Sequence, residues 1–80
     1  MPDYNDFLSR IYEILKPFAK HGRILNADSE LVTELGLSSL KIMELIAQIE
    51  DHFDISVPLN ILPDIRTIRD LALQLEKLTN

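Results

Sequence analysis

The sequence predicts a small all-α bundle, and three observations carry that expectation. Apolar residues recur at three- and four-residue spacing in three separate stretches, near residues 4–16, 39–53 and 68–78, as in helices that bury one face. Only two glycines occur in 80 residues, too few for the tight turns of an all-β fold. Strand-like alternation is confined to Ile55, Ser56 and Val57, a link that runs straight into Pro58.

The elements follow in order. Tyr4, Phe7, Leu8, Ile11, Leu15 and Phe18 form the stripe of a first helix, with Asp3 placed to accept a backbone N–H at its start. Pro17 cannot continue the hydrogen-bond ladder and biases Lys16 away from helical dihedrals, so this helix should stop near residue 16. Residues 17–38 hold both glycines, Gly22 and Gly36, and read as a long connection with a helical turn around 29–35. From Ser39 to Phe53 there is neither Gly nor Pro, and Ile42, Leu45, Ile46, Ile49 and Phe53 fall on one stripe of a second helix. Residues 59–65 suit one short helical turn interrupted by Pro63. Thr67 and Asp70 form a capping-box pair that opens a last helix, whose core face is Ile68, Leu71, Ala72, Leu75 and Leu78. Three long helices and a short fourth thus make a three- to four-helix bundle, a single domain over residues 1–80.

Composition narrows the function classes. An 80-residue chain has a thin core, with little wall left for a self-contained catalytic site. Without cysteine there is no disulfide, thiol catalysis or Cys-ligated zinc. The longest apolar runs are only a few residues, which excludes a membrane-spanning helix. The opening MPDYNDFLSR carries no basic leader or hydrophobic signal region, so a cytoplasmic, monomeric chain is expected. The net charge of −5 argues against nucleic acid as a partner. That charge is not spread evenly. Residues 28–54 carry seven acids, Asp28, Glu30, Glu34, Glu44, Glu50, Asp51 and Asp54, against Lys41 alone, whereas the rest of the chain is nearly balanced. The excess is either a solvated face or a docking surface for basic partners.

Conventional catalytic and metal motifs fall away. Ser38-Ser39-Leu40-Lys41 matches S-x-x-K, but the rest of such an enzyme does not fit in this chain. His21 and His52 are far apart and lack carboxylates at ligand spacing, so both are expected to be exposed or half-buried side chains. What stands out is the second helix. Its face opposite the core stripe carries Leu40, Met43, Glu44, Ala47, Glu50 and Asp51, three apolar residues bordered by acids, which is the pattern of a partner site. Serine opens this helix, where the unpaired N–H groups and the macrodipole favour an anion such as a phosphate. A plain N-cap role for Ser38 or Ser39 is compatible with that reading.

The run Leu35-Gly36-Leu37-Ser38-Ser39-Leu40, then Glu44-Leu45, then Ile49-Glu50-Asp51-His52-Phe53-Asp54-Ile55, resembles the acyl carrier proteins. Members show L-G-x-D-S-L, V-E-L and E-x-x-F-x-I-x-(I/V)-P in that order. Val57-Pro58 continues the pattern, and Thr67-Ile68-Arg69-Asp70-Leu71 is similar to the family's T-(V/I)-x-D-L at the last helix. The likeness covers residues 28–78.

The resemblance implies that Ser39 is the attachment point for 4′-phosphopantetheine, transferred from coenzyme A by a phosphopantetheinyl transferase. The cofactor thiol would carry acyl or aminoacyl groups as thioesters between discrete enzymes with basic docking surfaces, and the chain itself would not be an enzyme. Leu40, Met43, Glu44, Ala47, Glu50 and Asp51 would meet those enzymes. Two positions depart from the family pattern. Ser38 stands where an aspartate usually precedes the modified serine, and Lys41 puts a base on a helix that is more often acidic or polar there. The first bears on which transferase accepts the chain; the second, with Ile42 and Met43, points to a specialised carrier rather than a housekeeping fatty-acid one. The competing expectation is an adaptor that is never modified and works by docking alone. Because Phe53 is the one aromatic beyond the first helix and its flank, the later core is aliphatic. It is expected either to be tightly closed or to open an acyl slot walled by Val57, Pro58, Leu59, Ile61 and Leu62.

Overall fold

The computed structural model describes residues 2–19 and 24–79; His21 lies outside the described residues. Helix α1 spans Tyr4–Leu15, α2 spans Ser39–Phe53 and α3 spans Ile68–Thr79, with a single-turn 3-10 segment at Lys16–Phe18 and a six-residue one, two turns rather than the expected one, at Leu59–Asp64. Among the described residues there is no strand, only one antiparallel bridge between Glu30 and Thr67. The expected helical bundle is the observed one.

Local chemistry sets the helix ends. The Asp3 carboxylate accepts from the Asp6 N–H at 3.0 Å, and the Asp6 carboxylate accepts from the Asp3 N–H at 2.9 Å, a reciprocal cap for α1. The α-helix gives way at Leu15, and Pro17 sits inside the tighter turn that follows. Asp54 ends α2 in the left-handed region at φ 55°, a position usually given to glycine but open to short polar side chains.

The core joins all three helices. Phe7, Ile11 and Leu15 from α1 meet Ile42, Leu45, Ile46 and Ile49 from α2 and Ile68, Leu71, Ala72 and Leu75 from α3. Leu78 does not join them. It is 42% exposed, because ten residues after Ile68 it falls at the edge of the α3 stripe, in the last turn. The long connection contributes more than expected. Leu31, Leu35 and Leu37 are buried in the same cluster, and Ser29 is buried with its hydroxyl accepting from the Asn26 N–H at 3.0 Å.

That connection is pinned to the start of α3. The N–H groups of Leu31, Ile68 and Arg69 donate to the carbonyls of Arg66, Ser29 and Ala27 at 3.0, 3.1 and 2.8 Å. Ion pairs Asp28–Arg69 and Glu30–Arg66 reinforce the seam from outside. Inside it lies the expected capping box. The Thr67 hydroxyl accepts from the Asp70 N–H at 3.1 Å, and the Asp70 carboxylate accepts from the N–H groups of Thr67 and Arg66, both at 3.0 Å.

Partial burial works to raise the Asp70 pKa, but the donated N–H groups, the Thr67 side chain and the nearby Arg66 charge outweigh it and hold the group below its ordinary 3.8. A depressed folded value stabilises the fold at pH above the ordinary carboxylate range, and that contribution is lost as pH falls through the folded value. Asp70→Ala should therefore cost about 1 kcal/mol at neutral pH. The gap in melting temperature between wild type and variant should close on acidification below about pH 4. A gap that persists unchanged into acid would show that the carboxylate charge is not what caps α3.

Candidate carrier site at the start of the second helix

Two adjacent serines open α2, and the structure assigns them different work. Ser38 is the N-cap, in extended conformation, with its hydroxyl accepting from the Lys41 N–H at 3.2 Å. Ser39 is the first helical residue, exposed, with a hydroxyl that makes no hydrogen bond to any described residue. One hydroxyl is used by the fold and the other is exposed and unengaged.

The approach to this pair is shaped by the leucine-glycine run before it. Residues 31–35 make a turn of helix that closes on Gly36, which lies at φ 69°. The Gly36 N–H donates to the Val32 carbonyl at 3.0 Å, the single closure of an αL motif, and the Leu37 N–H reaches back to the Leu31 carbonyl, also at 3.0 Å. Leu31 and Leu37 on either side of the glycine are both buried. Buried leucines thus anchor the chain immediately before the caps, and Ser39 emerges one residue after Ser38 on a fixed helix end. A Cβ at Gly36 would meet nothing within 4 Å, so substitution there costs only backbone strain. Gly36→Ala should lower stability by about 1–2 kcal/mol, read by chemical denaturation. A neutral result would mean the left-handed turn is not needed.

The residues expected to meet partners do not all stand alike. Leu40 is 62% exposed, Ala47 is exposed and Met43 is half-buried. Glu44 is exposed but paired, its carboxylate 3.2 Å from the Lys41 ammonium. Glu50 is half-buried, and one carboxylate oxygen accepts from the Val57 N–H at 2.8 Å, tying α2 to the following link. Asp51 is exposed and has no ion pair among the described residues. His52 is exposed, edge-on to the Phe53 ring at 4.8 Å. No group of His, Cys, Asp and Glu among the described residues is arranged to hold a metal ion.

The link residues Val57 and Ile61, placed by the sequence in the wall of an acyl slot, are buried in the core cluster. An apolar crevice lies instead between the end of α1 and the first half of α2, lined by Ile14, Leu15, Phe18, Leu37 and Leu45 beneath Lys41, Glu44 and Gln48. Its volume of about 20 Å³ has room for about one water molecule, so the core is closed there.

The site suits a phosphodiester. An unengaged hydroxyl stands at the positive end of a 15-residue helix, with no acid in the first turn to repel an anion. The N–H groups of Ser39 and Leu40 have no acceptor among the described residues and face the same end, whereas those of Lys41 and Ile42 donate to the Ser38 hydroxyl and carbonyl.

Comparison with known proteins agrees with this geometry. The family model described as "Phosphopantetheine attachment site" matches residues 9–75. A probable acyl carrier protein of Caulobacter vibrioides is 40% identical over 48 residues, covering 60% of this chain and 56% of that protein. An acyl carrier protein of Bdellovibrio bacteriovorus is 34% identical over 53 residues, covering 66% and 68%. The mitochondrial acyl carrier protein of Saccharomyces cerevisiae is 30% identical over 64 residues, covering 74% and 51%. The matched region thus spans about half to two thirds of these relatives' length. A putative acyl carrier protein from Mycobacterium tuberculosis, at 29% identity, superposes with a TM-score of 0.73 over 86% of this chain and 93% of its own. Sequence, fold and a helix end suited to the cofactor converge, and the chain belongs to the acyl carrier protein family, whose attached group is 4′-phosphopantetheine.

Proposed function

We propose that Ser39 is the attachment residue and that the chain holds acyl or aminoacyl intermediates, presenting them to discrete enzymes of lipid or secondary-metabolite synthesis. The observation that carries this reading is the division between the serines: Ser38 is occupied as a cap while the Ser39 hydroxyl is exposed on the first helical residue. Ser39 supplies the nucleophilic oxygen. Its bond to phosphorus replaces the pyrophosphate bond of coenzyme A, 3′,5′-ADP leaves, and the hydroxyl proton passes to the transferase. When bound, the cofactor contributes the thiol that a chain without cysteine lacks.

In this reading the chain carries rather than catalyses. It acts as one unit, and its partners are a phosphopantetheinyl transferase and the enzymes that load and use the cargo. Among the described residues no helix is long and apolar enough to cross a membrane. Leu40, Met43 and Ala47 offer the apolar contact, and Asp51 is the exposed acid with the fewest internal commitments. Incubation with coenzyme A and a broad-specificity transferase should add the mass of one cofactor. No mass change would favour the unmodified adaptor instead.

Docking has its own test. Asp51→Lys should raise the KM of a partner with a basic docking surface about two- to fivefold at low salt, with little change in melting temperature. An unchanged KM would remove Asp51 from the interface.

A further inference from the structure

The charge on the exposed side of α2 changes sign along its length. Its first turn contains no acid, Ser38 before it is uncharged, and Lys41 is half exposed there. The helix end adds its own positive partial charge. Glu44, the first acid, is held 3.2 Å from the Lys41 ammonium and is neutralised by it. Beyond it, Glu50 is turned toward Val57, and full negative charge returns at Asp51 and Asp54, both exposed.

Distance keeps the two ends separate. Ten residues from Lys41 to Asp51 span about 15 Å of helix. That exceeds the screening length of about 8 Å at physiological salt, so an approaching surface reads each end on its own. The Lys41 side chain also lines the crevice formed with Ile14, Leu15, Phe18, Leu37 and Leu45. Paired with Glu44, it leaves this end without the net negative charge that Asp51 and Asp54 give the other.

We propose that Lys41 is a specificity-determining residue of the docking surface. It fits partner enzymes that set an acidic side chain beside the entrance receiving the Ser39 arm, with basic side chains two to three turns further along α2. It disfavours partners that are basic throughout. Opposite charges facing each other set register and speed encounter, whereas like charges reject the wrong partner. This inference rests on Ser39 being the attachment residue.

The test uses the full chain, coenzyme A and a transferase with a uniformly basic docking surface, at about 0.1 M ionic strength, where the screening length of about 10 Å stays shorter than the distance between the two ends. Lys41→Glu should lower the KM for the carrier about two- to fivefold with kcat unchanged, and Lys41→Gln should fall between the two. Glu44→Gln, which keeps the cation and removes its partner, should raise KM. These differences should vanish at about 1 M salt. In a transferase whose basic residue facing the first turn of α2 is changed to glutamate, the order should reverse, with wild type preferred over Lys41→Glu. Melting temperatures of all variants, measured alongside, identify any loss of folding. Equal KM values for wild type and Lys41→Glu, or the same ranking with both transferases, would overturn the role of Lys41 while leaving Ser39 modified. A wild-type chain that takes up no cofactor would overturn the attachment reading, and this inference with it.

Discussion

Ser39→Ala is expected to abolish cofactor attachment outright, while Ser38→Ala is expected to remain fully loaded but less stable. Both serines are exposed hydroxyls one residue apart, and their difference is conformational. The Ser38 hydroxyl accepts from the Lys41 N–H, and losing that cap costs about 1 kcal/mol. Ser39 is past the cap, and no described side chain depends on its hydroxyl, so alanine there should leave the melting temperature nearly unchanged. Intact mass and thermal melting together give a crossed pattern. One variant loses mass gain and keeps stability; the other keeps mass gain and loses stability. Loading of Ser39→Ala with loss in Ser38→Ala would reverse the assignment. Loss in both would mean the cap and the nucleophile act as one unit, with the serine exposed only when α2 starts where it does.

Helix-forming segments were the legible part of this chain, for reasons that are local. Residues 39–53 form α2 with the bounds read from the sequence, because an uninterrupted apolar stripe and a capping serine act within a few residues of each other. Pro17 and the Thr67–Asp70 pair are equally local signals, and both act where they stand. The connection before α2 was less legible. Its burial of Leu31, Leu35 and Leu37 depends on backbone pairing with residues 66–69, almost forty positions away, and no periodicity records such a bond. The L-G-L run did contain a clue, since a glycine after a helical turn is how a left-handed closure reads in sequence.

The candidate site shows the same boundary. Ser39 was singled out by its place in a run resembling a family, but the assignment of capping to Ser38 required the backbone geometry. A helical wheel places Glu50 at the border of the core stripe, about 40° from Ile46, but does not show its bond from the Val57 N–H, which is presented only after the chain turns at Asp54. The acidic face is therefore thinner than composition implies. The Lys41–Glu44 pair and the Glu50–Val57 bond leave Asp51 as the unencumbered acid of the set, so partner recognition should depend on few residues and respond sharply to single changes.

Phe7→Ala is expected to produce the largest loss of stability, about 3–5 kcal/mol. Phe7 is fully buried, and its ring lies 4.7 Å from that of Phe53 at an interplanar angle of 57°, joining α1 to the far end of α2. A domain of this size has about 4–12 kcal/mol in total, so removing this ring takes a large share of it. The melting temperature should fall by about 12 °C or more. Phe7→Leu keeps more of the volume and should fall less, which separates cavity formation from general intolerance of change at this site. The functional consequence is indirect. Phe53 stands fourteen residues from Ser39, about 20 Å along α2, and the Ser38 cap and the Gly36 turn lie at the opposite end. Whatever fraction of Phe7→Ala stays folded should therefore accept the cofactor at the wild-type rate, and loading below the melting temperature should track the folded fraction measured by circular dichroism. A variant that melts as wild type would show the aromatic pair to be peripheral. A folded variant that loads slowly would instead mean that the two ends of α2 are coupled through the core.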